Sequence, residues 1–262
     1  MNAMPALFLS HGSPMLALDD SPTGRFLDGL GARLPRPRAV LVASAHFAAP
    51  DPTVTASAAP ATVHDFGGFP PALHALRYPA PGDPALAAAL VGRLRAAGFE
   101  ARSDPAAGLD HGVWVPLRRM YPDADVPVLA LSVAPARDAA WHFRLGQALA
   151  PLRSEGVLVI GSGSFSHNLR ALDWRNHAPA PDWLSAFTGA LRRRLLQGDV
   201  AGALDWCALP AAALNHPTPE HLYPLFVALG AGEGWPARPL HQDVELGALA
   251  LDAYAFGGEP DA

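Results

Sequence analysis

Five short runs of apolar residues set the strongest constraint on how this chain can fold. They cover residues 6–10, 38–45, 99–102, 126–133 and 157–161. Most of them are continuous stretches of Val, Leu, Ile and Ala rather than alternations of apolar and polar residues. Continuous runs of this length are typical of β-strands that other structure covers on both faces. We therefore predict a sheet that is buried between two layers.

Segments with helical character alternate with these runs. They cover 24–34, 84–97, 113–120, 138–153 and 182–197, and two more follow at about 219–229 and 244–255. Such alternation is typical of α/β proteins. We predict a three-layer α/β/α sandwich around a mostly buried mixed sheet. Because no internal repeat and no linker interrupts the pattern, residues 1–262 are expected to form a single domain.

Charge and composition narrow the classes of partner and compartment. The net charge is −5 and no stretch is strongly basic, so we expect no nucleic-acid partner. No apolar run approaches the ~18 residues that span a membrane. Cys207 is the single cysteine, which excludes an intramolecular disulfide and agrees with a reducing compartment. The first residues lack the positive region of a signal peptide. These features predict a cytoplasmic protein.

Three of the predicted strands lead into a histidine. His11 follows the first strand, His46 follows the second, and His167 lies a few residues after the strand at 157–161. In α/β sheets, ligands bind beyond the carboxyl ends of the strands. Imidazole is also the commonest metal ligand among side chains. These histidines are therefore candidates for one metal site at one edge of the sheet.

A third metal ligand is available in the segment NHPTPEH. It offers His216, Glu220 and His221, with Pro219 expected to begin a helix that carries Glu220 and His221 in its first turn. Two histidines and one further ligand, with other positions open, are typical of non-haem Fe(II) oxygenases and of catalytic zinc sites. The residues alone leave the choice of the third ligand open.

Other motifs give weaker signals. In LDHGVWVPL, His111 is expected in a loop before a helix, with Asp110 as a possible N-cap, and TVHDFGGFP could form an aromatic pocket wall. The GSGS sequence at 161–164 lacks the spacing of a dinucleotide fingerprint and the lysine of a P-loop. It also differs from the GxSxG nucleophile elbow. A serine hydrolase is therefore disfavoured, whereas a phosphate-binding turn stays open.

Seven motifs in order carry a resemblance to a known family. They are LFLSHGSPM, VASAHF, TVHDFGGFP, YPAPGDP, LDHGVWVPLRRMYPDADVPVLALSV, SGSFSHNLR and PTPEHLYPLFVALGA, between residues 7 and 231. Together they resemble the DOPA 4,5-dioxygenase type of extradiol ring-cleavage dioxygenase, in the class III, LigB-like superfamily. The motif histidines show no departure from the family pattern. The segment from about 170 to 215 matches no motif of the family.

The resemblance implies a role for each motif histidine. His11 and His46 would bind the metal, and His221 would be the third ligand, with Glu220 as its rival because some relatives use a glutamate. His167 would be the catalytic base, with a fourth metal ligand as its alternative role. His111 would contact the substrate or dioxygen.

The resemblance further implies a non-haem Fe(II) enzyme that opens the ring of a small catechol, DOPA-like, with O2. The product would be of the muconate-semialdehyde type. Zn(II) could occupy the same imidazoles, because it generally binds nitrogen ligands more tightly than Fe(II). Two alternatives remain on the same scaffold: a zinc-dependent hydrolase, and a metal-binding protein without catalytic activity.

Overall fold

The fold is that of a computed structural model, which describes residues 3–175 and 179–257. The strands are β1 (Ala6–Ser10), β2 (Ala39–Ala48), β3 (Thr53–Thr55), β4 (Arg102–Asp104), β5 (Val128–Val133), β6 (Val157–Gly163), β7 (Arg238–His241), β8 (Val244–Glu245), β9 (Leu249–Ala250) and β10 (Ala253–Phe256). The α-helices are α1 (Pro22–Arg33), α2 (Pro71–Ala75), α3 (Pro84–Ala96), α4 (His111–Met120), α5 (Ala139–Leu149), α6 (Pro151–Ser154), α7 (Asp182–Leu196), α8 (Val200–Leu204), α9 (Ala212–Asn215) and α10 (Tyr223–Ala231).

Eight of the strands form one mixed sheet in the order β4-β3-β5-β2-β6-β1-β10-β7. The four central strands β5, β2, β6 and β1 are parallel, and β10 pairs antiparallel with β1. The carboxyl ends of the four parallel strands therefore lie at the same edge of the sheet. A small hairpin of β8 and β9 stands apart from the main sheet.

Side chains of the central strands alternate between two hydrophobic cores, because successive residues of a strand point to opposite faces. Ala6 and Phe8 of β1 belong to the core beneath α3, α5, α7 and α10, whereas Leu7 and Leu9 belong to the core beneath α1 and α4. Both faces of the sheet are thus covered by helices. The prediction of a three-layer α/β sandwich around a buried mixed sheet is confirmed.

The predicted helix at 244–255 is wrong. This segment forms the β8–β9 hairpin and then β10, which pairs with β1 from Ala6↔Phe256 to Leu9↔Ala253. Its Ala and Leu content favours a helix locally. However, Gly247 has a φ of +72°, which a helix does not accommodate, and β1 offers an open edge. Long-range pairing therefore overrides local propensity.

Other predicted boundaries also differ from those of the structure. The helix expected from Pro219 begins at Tyr223, so the preceding residues form a turn outside it. The helix expected over 138–153 divides into α5 and α6 at Pro151, whose ring is incompatible with a helix interior. The strand expected at 99–102 lies at Arg102–Asp104. The assignment of residues 1–262 to a single domain stays a prediction.

Among the described residues, none of the helices has the length and apolar character that crossing a membrane requires.

Candidate metal centre

The sequence-predicted histidines meet at the carboxyl edge of the parallel strands. His11 directly follows β1, and its backbone N–H donates to Gly163 O at 3.0 Å. His46 lies near the end of β2, where the register with β5 shifts between Ser44 and Ala48. Because β6 lies between β1 and β2, the two histidines flank the end of the same strand.

The glycines of the GSGS sequence allow the His221 segment to pack on β6. A Cβ atom at Gly161 would lie 2.0 Å from Pro224 O, and one at Gly163 would lie 2.1 Å from His221 O. Such distances are impossible for a real side chain. The Ser164 N–H donates to His221 O at 2.8 Å, which ties the segment to the strand end. This motif therefore has a structural role in bringing His221 to the site.

Three ring nitrogens converge at this edge. His46 Nε2 lies 3.1 Å from His11 Nε2 and 3.2 Å from His221 Nε2. Candidate ligand atoms of these three residues all lie within 4.8 Å of one another. A distance near 3 Å between two such nitrogens suits a hydrogen bond only if one of them carries a proton.

The partners of the opposite ring nitrogens determine where the protons are. His11 Nδ1 lies 3.0 Å from Ser162 Oγ, and the hydroxyl of Ser162 donates its proton to Gly112 O. A hydroxyl has a single proton, so the Ser162 oxygen accepts from a protonated His11 Nδ1. His221 Nδ1 lies 3.0 Å from Glu220 Oε1, a carboxylate oxygen that can only accept.

The third ring follows the same pattern. His46 Nδ1 lies 3.3 Å from Asp65 Oδ2, and a carboxylate favours an N–H over a lone pair at that position. Each of the three neutral rings then carries its proton on Nδ1 and a lone pair on Nε2. Three lone pairs directed at one another repel in the absence of a cation. The donor set therefore fits a metal ion, and its outer partners are of the kind that orient metal-binding histidines.

Burial keeps these imidazoles neutral. It lowers the pKa of His11 well below its usual value, and the neighbouring histidines lower that pKa further. The pKa of His46 is lowered to about 2 by burial and by the nearby His111. Burial also lowers the pKa of His221, against the opposing effect of Glu220. Neutral imidazole is the form that binds a metal.

His111 stands beside the three rings as the first residue of α4, rather than in a loop before the helix as the sequence suggested. Its ring centroid lies 3.9 Å from that of His46 and 5.4 Å from that of His11. Asp110 is the N-cap by position, but its side chain does not cap the helix. Instead, its carboxyl accepts a hydrogen bond from Ser44 Oγ at 2.6 Å, and burial raises its pKa to about 6.

His167 lies on the other side of the cluster. Its ring stacks on that of His221, with centroids 3.4 Å apart and an angle of 9° between the planes. Its backbone N–H donates to Asn215 O at 2.8 Å. Burial, followed by the effect of His221, lowers its pKa to about 3. The side chain is therefore neutral near pH 7.

The other two candidates for the third ligand, His216 and Glu220, lie in different surroundings, and Glu220 also belongs to a second possible metal-binding group with His167 and His221. His216 lies away from the three converging nitrogens, where its ring contacts Phe187 and Trp206 and its Nε2 lies 3.2 Å from Phe165 O. The Glu220 carboxylate contacts Nδ1 of His221 and accepts a hydrogen bond from Thr218 Oγ1 at 2.9 Å. The hydrogen bond from His221 is the main cause that lowers the pKa of Glu220 to about 2.

A cavity of about 470 Å³ opens onto these histidines. Its lining includes His11, His46, His111 and His167, together with Phe66 and Phe69 of the TVHDFGGFP segment and the apolar side chains of Leu169, Leu172 and Trp174. Pockets of this size and mixed character are typical of sites for small molecules. The predicted aromatic wall is present. Imidazoles form the floor of the cavity, and apolar side chains form its walls.

Sequence reasoning missed the residues that hold the rings. The sequence motifs place Ser162 in a candidate phosphate-binding turn and Asp65 in a candidate pocket wall. Ser162 contacts His11, which is 151 residues away in the chain, and Asp65 contacts His111, which is 46 residues away, as well as His46. The closeness of Glu220 to His221 in sequence was the one available signal of such a partner.

Comparison with known proteins adds an independent line of support. A family model described as the catalytic LigB subunit of aromatic ring-opening dioxygenase matches residues 5–247. The chain is 43% identical to the 4,5-DOPA dioxygenase extradiol of Escherichia coli (strain K12) over 259 residues, which cover 97% of this chain and 95% of that protein. It is 42% identical to the protein of the same name from Beta vulgaris, with 97% of each chain covered.

A solved structure agrees with these matches. The crystal structure of an uncharacterized protein from Escherichia coli K12 superposes with a TM-score of 0.83 at 39% identity, and covers 97% of this chain and 100% of its own. The LigB-like fold predicted from the motifs is therefore confirmed. Enzymes of this family depend on a metal and act on an aromatic substrate with O2, and the histidine cluster could hold such a metal. The chain belongs to the LigB family and is an extradiol aromatic ring-opening dioxygenase.

Proposed function

We propose that the enzyme is a non-haem Fe(II) dioxygenase that opens the ring of a catechol next to the diol, to a product of the muconate-semialdehyde type. His11, His46 and His221 would hold the metal. The observation that supports this assignment is the convergence of three Nε2 atoms, each in a ring whose Nδ1 lies beside a polar partner. When bound, Fe(II) would bring the diol and O2 together and relay electrons to O2 from the deprotonated catechol, which is the reductant.

Two histidines outside this ligand set would handle protons and substrate. His167 lines the cavity and is neutral near pH 7, so an unprotonated ring nitrogen is available to accept a proton from the diol. A positioned base of this kind contributes about 10²–10⁴-fold to the rate. His111 Nδ1 is bonded to Asp65 Oδ1 at 3.0 Å, which leaves Nε2 available to substrate or dioxygen in the cavity.

The walls of the cavity support an aromatic substrate. Phe66 and Phe69 lie in edge contact, with centroids 5.4 Å apart, and offer apolar surface to a ring. Leu169, Leu172 and Trp174 also line the cavity. A bound ring would displace water from these side chains, which favours burial of the aromatic substrate. The relatives named above carry DOPA in their names, and DOPA therefore belongs among the catechols to test.

The decisive experiment is anaerobic loading of the purified chain with Fe(II), followed by oxygen uptake with a panel of catechols that includes DOPA. We expect uptake together with a yellow, ring-opened product. The Zn(II)-loaded chain is the matched control, because zinc fits the same nitrogens but is redox-inert. His167→Ala should keep its iron content and lose about 10²–10⁴-fold of its turnover.

Three outcomes would contradict the proposal. Iron-loaded enzyme that takes up no oxygen with any catechol would favour a metal-binding protein without turnover. A product formed equally well without oxygen and with zinc would favour the hydrolase. Loss of bound iron in His167→Ala would make His167 a fourth ligand rather than a base.

A further inference from the structure

The carboxylate of Asp65 contacts two rings of the histidine cluster at once. Its Oδ1 accepts hydrogen bonds from the backbone N–H and from Nδ1 of His111, each at 3.0 Å. Its Oδ2 lies 3.3 Å from Nδ1 of His46. Three nitrogens of two histidines therefore lie around a single carboxylate.

Long-range contacts hold the segment that carries Asp65 in place. Thr62 forms a β-bridge with Leu109, and the Val63 N–H donates to Leu109 O at 2.8 Å. Trp114 Nε1 donates to Val63 O at 2.9 Å. These contacts join the segment to α4, which begins with His111. The carboxylate is thus held by a framework that also places one of its two histidine partners.

The chemistry of the carboxylate explains why one residue can serve two rings. A neutral imidazole has one N–H, on Nδ1 or on Nε2, and the partner of one nitrogen decides the state of the other. A carboxylate only accepts, so it favours Nδ1–H in both rings. An amide of the same size has one accepting and one donating end, and it cannot favour Nδ1–H in both.

We infer that Asp65 is a positioning residue that sets the tautomers of His46 and His111 together, so that both rings keep an unprotonated Nε2 for the site. The inference rests on the function proposed above, because it takes His46 as a metal ligand and His111 as a contact to substrate or dioxygen. Asp65 would thereby link metal binding by His46 to the presence of an unprotonated Nε2 on His111.

The first test is a Co(II) titration of the full-length, metal-free chain and of Asp65→Asn. We expect Asp65→Asn to bind Co(II) about 10–100-fold more weakly, as is typical when an outer partner of a ligand is lost. Asp104→Asn is the matched control. Like Asp65 Oδ1, Asp104 Oδ1 accepts from two nitrogens, here the backbone N–H groups of Ala106 at 2.8 Å and Ala107 at 3.2 Å, but it has no role in the histidine cluster. Asp104→Asn should bind Co(II) as tightly as the wild type.

The second test observes the tautomers directly by ¹⁵N NMR of the histidine rings in the metal-free chain, with assignments from single His→Gln variants. We expect Nδ1–H in both His46 and His111 of the wild type. In Asp65→Asn, one of the two should change to Nε2–H. A purely structural role of Asp65 would alter the unfolding temperature but would leave these signals unchanged.

The outcomes separate this inference from the proposed function. A wild-type chain that binds no Co(II) would contradict the metal centre, while the NMR measurement would still decide the role of Asp65. Wild-type Co(II) affinity in Asp65→Asn would overturn the inference. A wild-type chain in which the ring of either His46 or His111 is mainly in the Nε2–H form would also overturn the inference. This result comes from the wild type alone and does not require the variant to fold.

Discussion

Replacing Ser162 with alanine tests the tautomer argument at the first metal-ligand candidate. Ser162 is fully buried in β6, accepts from His11 Nδ1 at 3.0 Å and donates to Gly112 O. Alanine removes both contacts. His11 Nδ1–H and the Gly112 carbonyl then lose their partners in the protein interior, and nothing holds the His11 proton on Nδ1.

The structure sets the size of two separate effects. Each buried polar group that loses its partner costs about 1–3 kcal/mol, so the two groups together should lower the free energy of unfolding by about 2–6 kcal/mol. Loss of an outer partner of a metal-binding histidine weakens metal affinity by about 10–100-fold. The loss of stability is expected for any buried serine with two hydrogen-bond partners, whereas the loss of metal affinity requires that the serine contacts a metal-binding residue.

Ser132→Ala is the matched control. Ser132 is also buried on a central strand, accepts from the Thr53 N–H at 2.9 Å and donates to Asp51 O at 3.2 Å. Urea unfolding should show a similar loss of stability in both variants. Co(II) titration of the metal-free chains should show weaker binding only in Ser162→Ala.

A clear result would refute the reasoning. If Ser162→Ala loses stability as Ser132→Ala does but binds Co(II) as tightly as the wild type, Ser162 does not control the tautomer of His11. The partner of Nδ1 would then not determine whether Nε2 of His11 carries a lone pair.

Three further predictions address the third ligand, the effect of pH and the packing beneath the site. His221→Ala should abolish retention of the metal, whereas Glu220→Gln should only weaken binding by about 10–100-fold; the reverse order in metal analysis would make Glu220 the ligand. Burial lowers the pKa of His142 to about 4 from 6.5. Between pH 6.5 and about pH 4 the unfolded chain therefore binds a proton at His142 that the folded chain does not bind, and the free energy of unfolding falls as the pH falls. At pH 5 the loss is about 2 kcal/mol, and in urea unfolding His142→Gln should lack this part of the pH dependence; an unchanged pH dependence would contradict it. A Cβ at Gly146 of α5 would lie 2.1 Å from a carbonyl oxygen of α10, so in thermal unfolding Gly146→Ala should lower the free energy of unfolding by about 1–3 kcal/mol or more. Gly92→Ala is the control and should not lower it, because a Cβ at Gly92 meets nothing within 4 Å. Equal effects of the two substitutions would contradict the close packing of α5 on α10.

Local sequence pattern was sufficient to predict the layers of the fold and the edge of the sheet at which the histidines lie. Continuous apolar runs predicted β1, β2, β5 and β6 because a strand covered on both faces has no polar side to present. Parallel strands bring their carboxyl ends to one edge, and that rule by itself predicts that His11 and His46 lie near each other.

Local sequence pattern gave wrong secondary structure where pairing with a distant part of the chain determines the backbone conformation. The segment at 244–255 reads as a helix, but the open edge of β1 takes Ala253–Phe256 as strand β10. The turn before α10, rather than the first turn of a helix, carries Glu220 and His221. Its path depends on the carbonyl contacts over Gly161 and Gly163, which no short window of sequence reveals.

Sequence alone therefore determined that histidines stand at the ends of buried parallel strands, because burial and strand direction follow from short-range pattern. Tertiary structure decided which ring nitrogens face one another and which carry the protons. Those states depend on Ser162, Asp65 and Glu220, and the first two reach their histidines only through folding. A tautomer is set by the atom opposite the ring, and for His11 and His46 the chain supplies that atom from a distant segment.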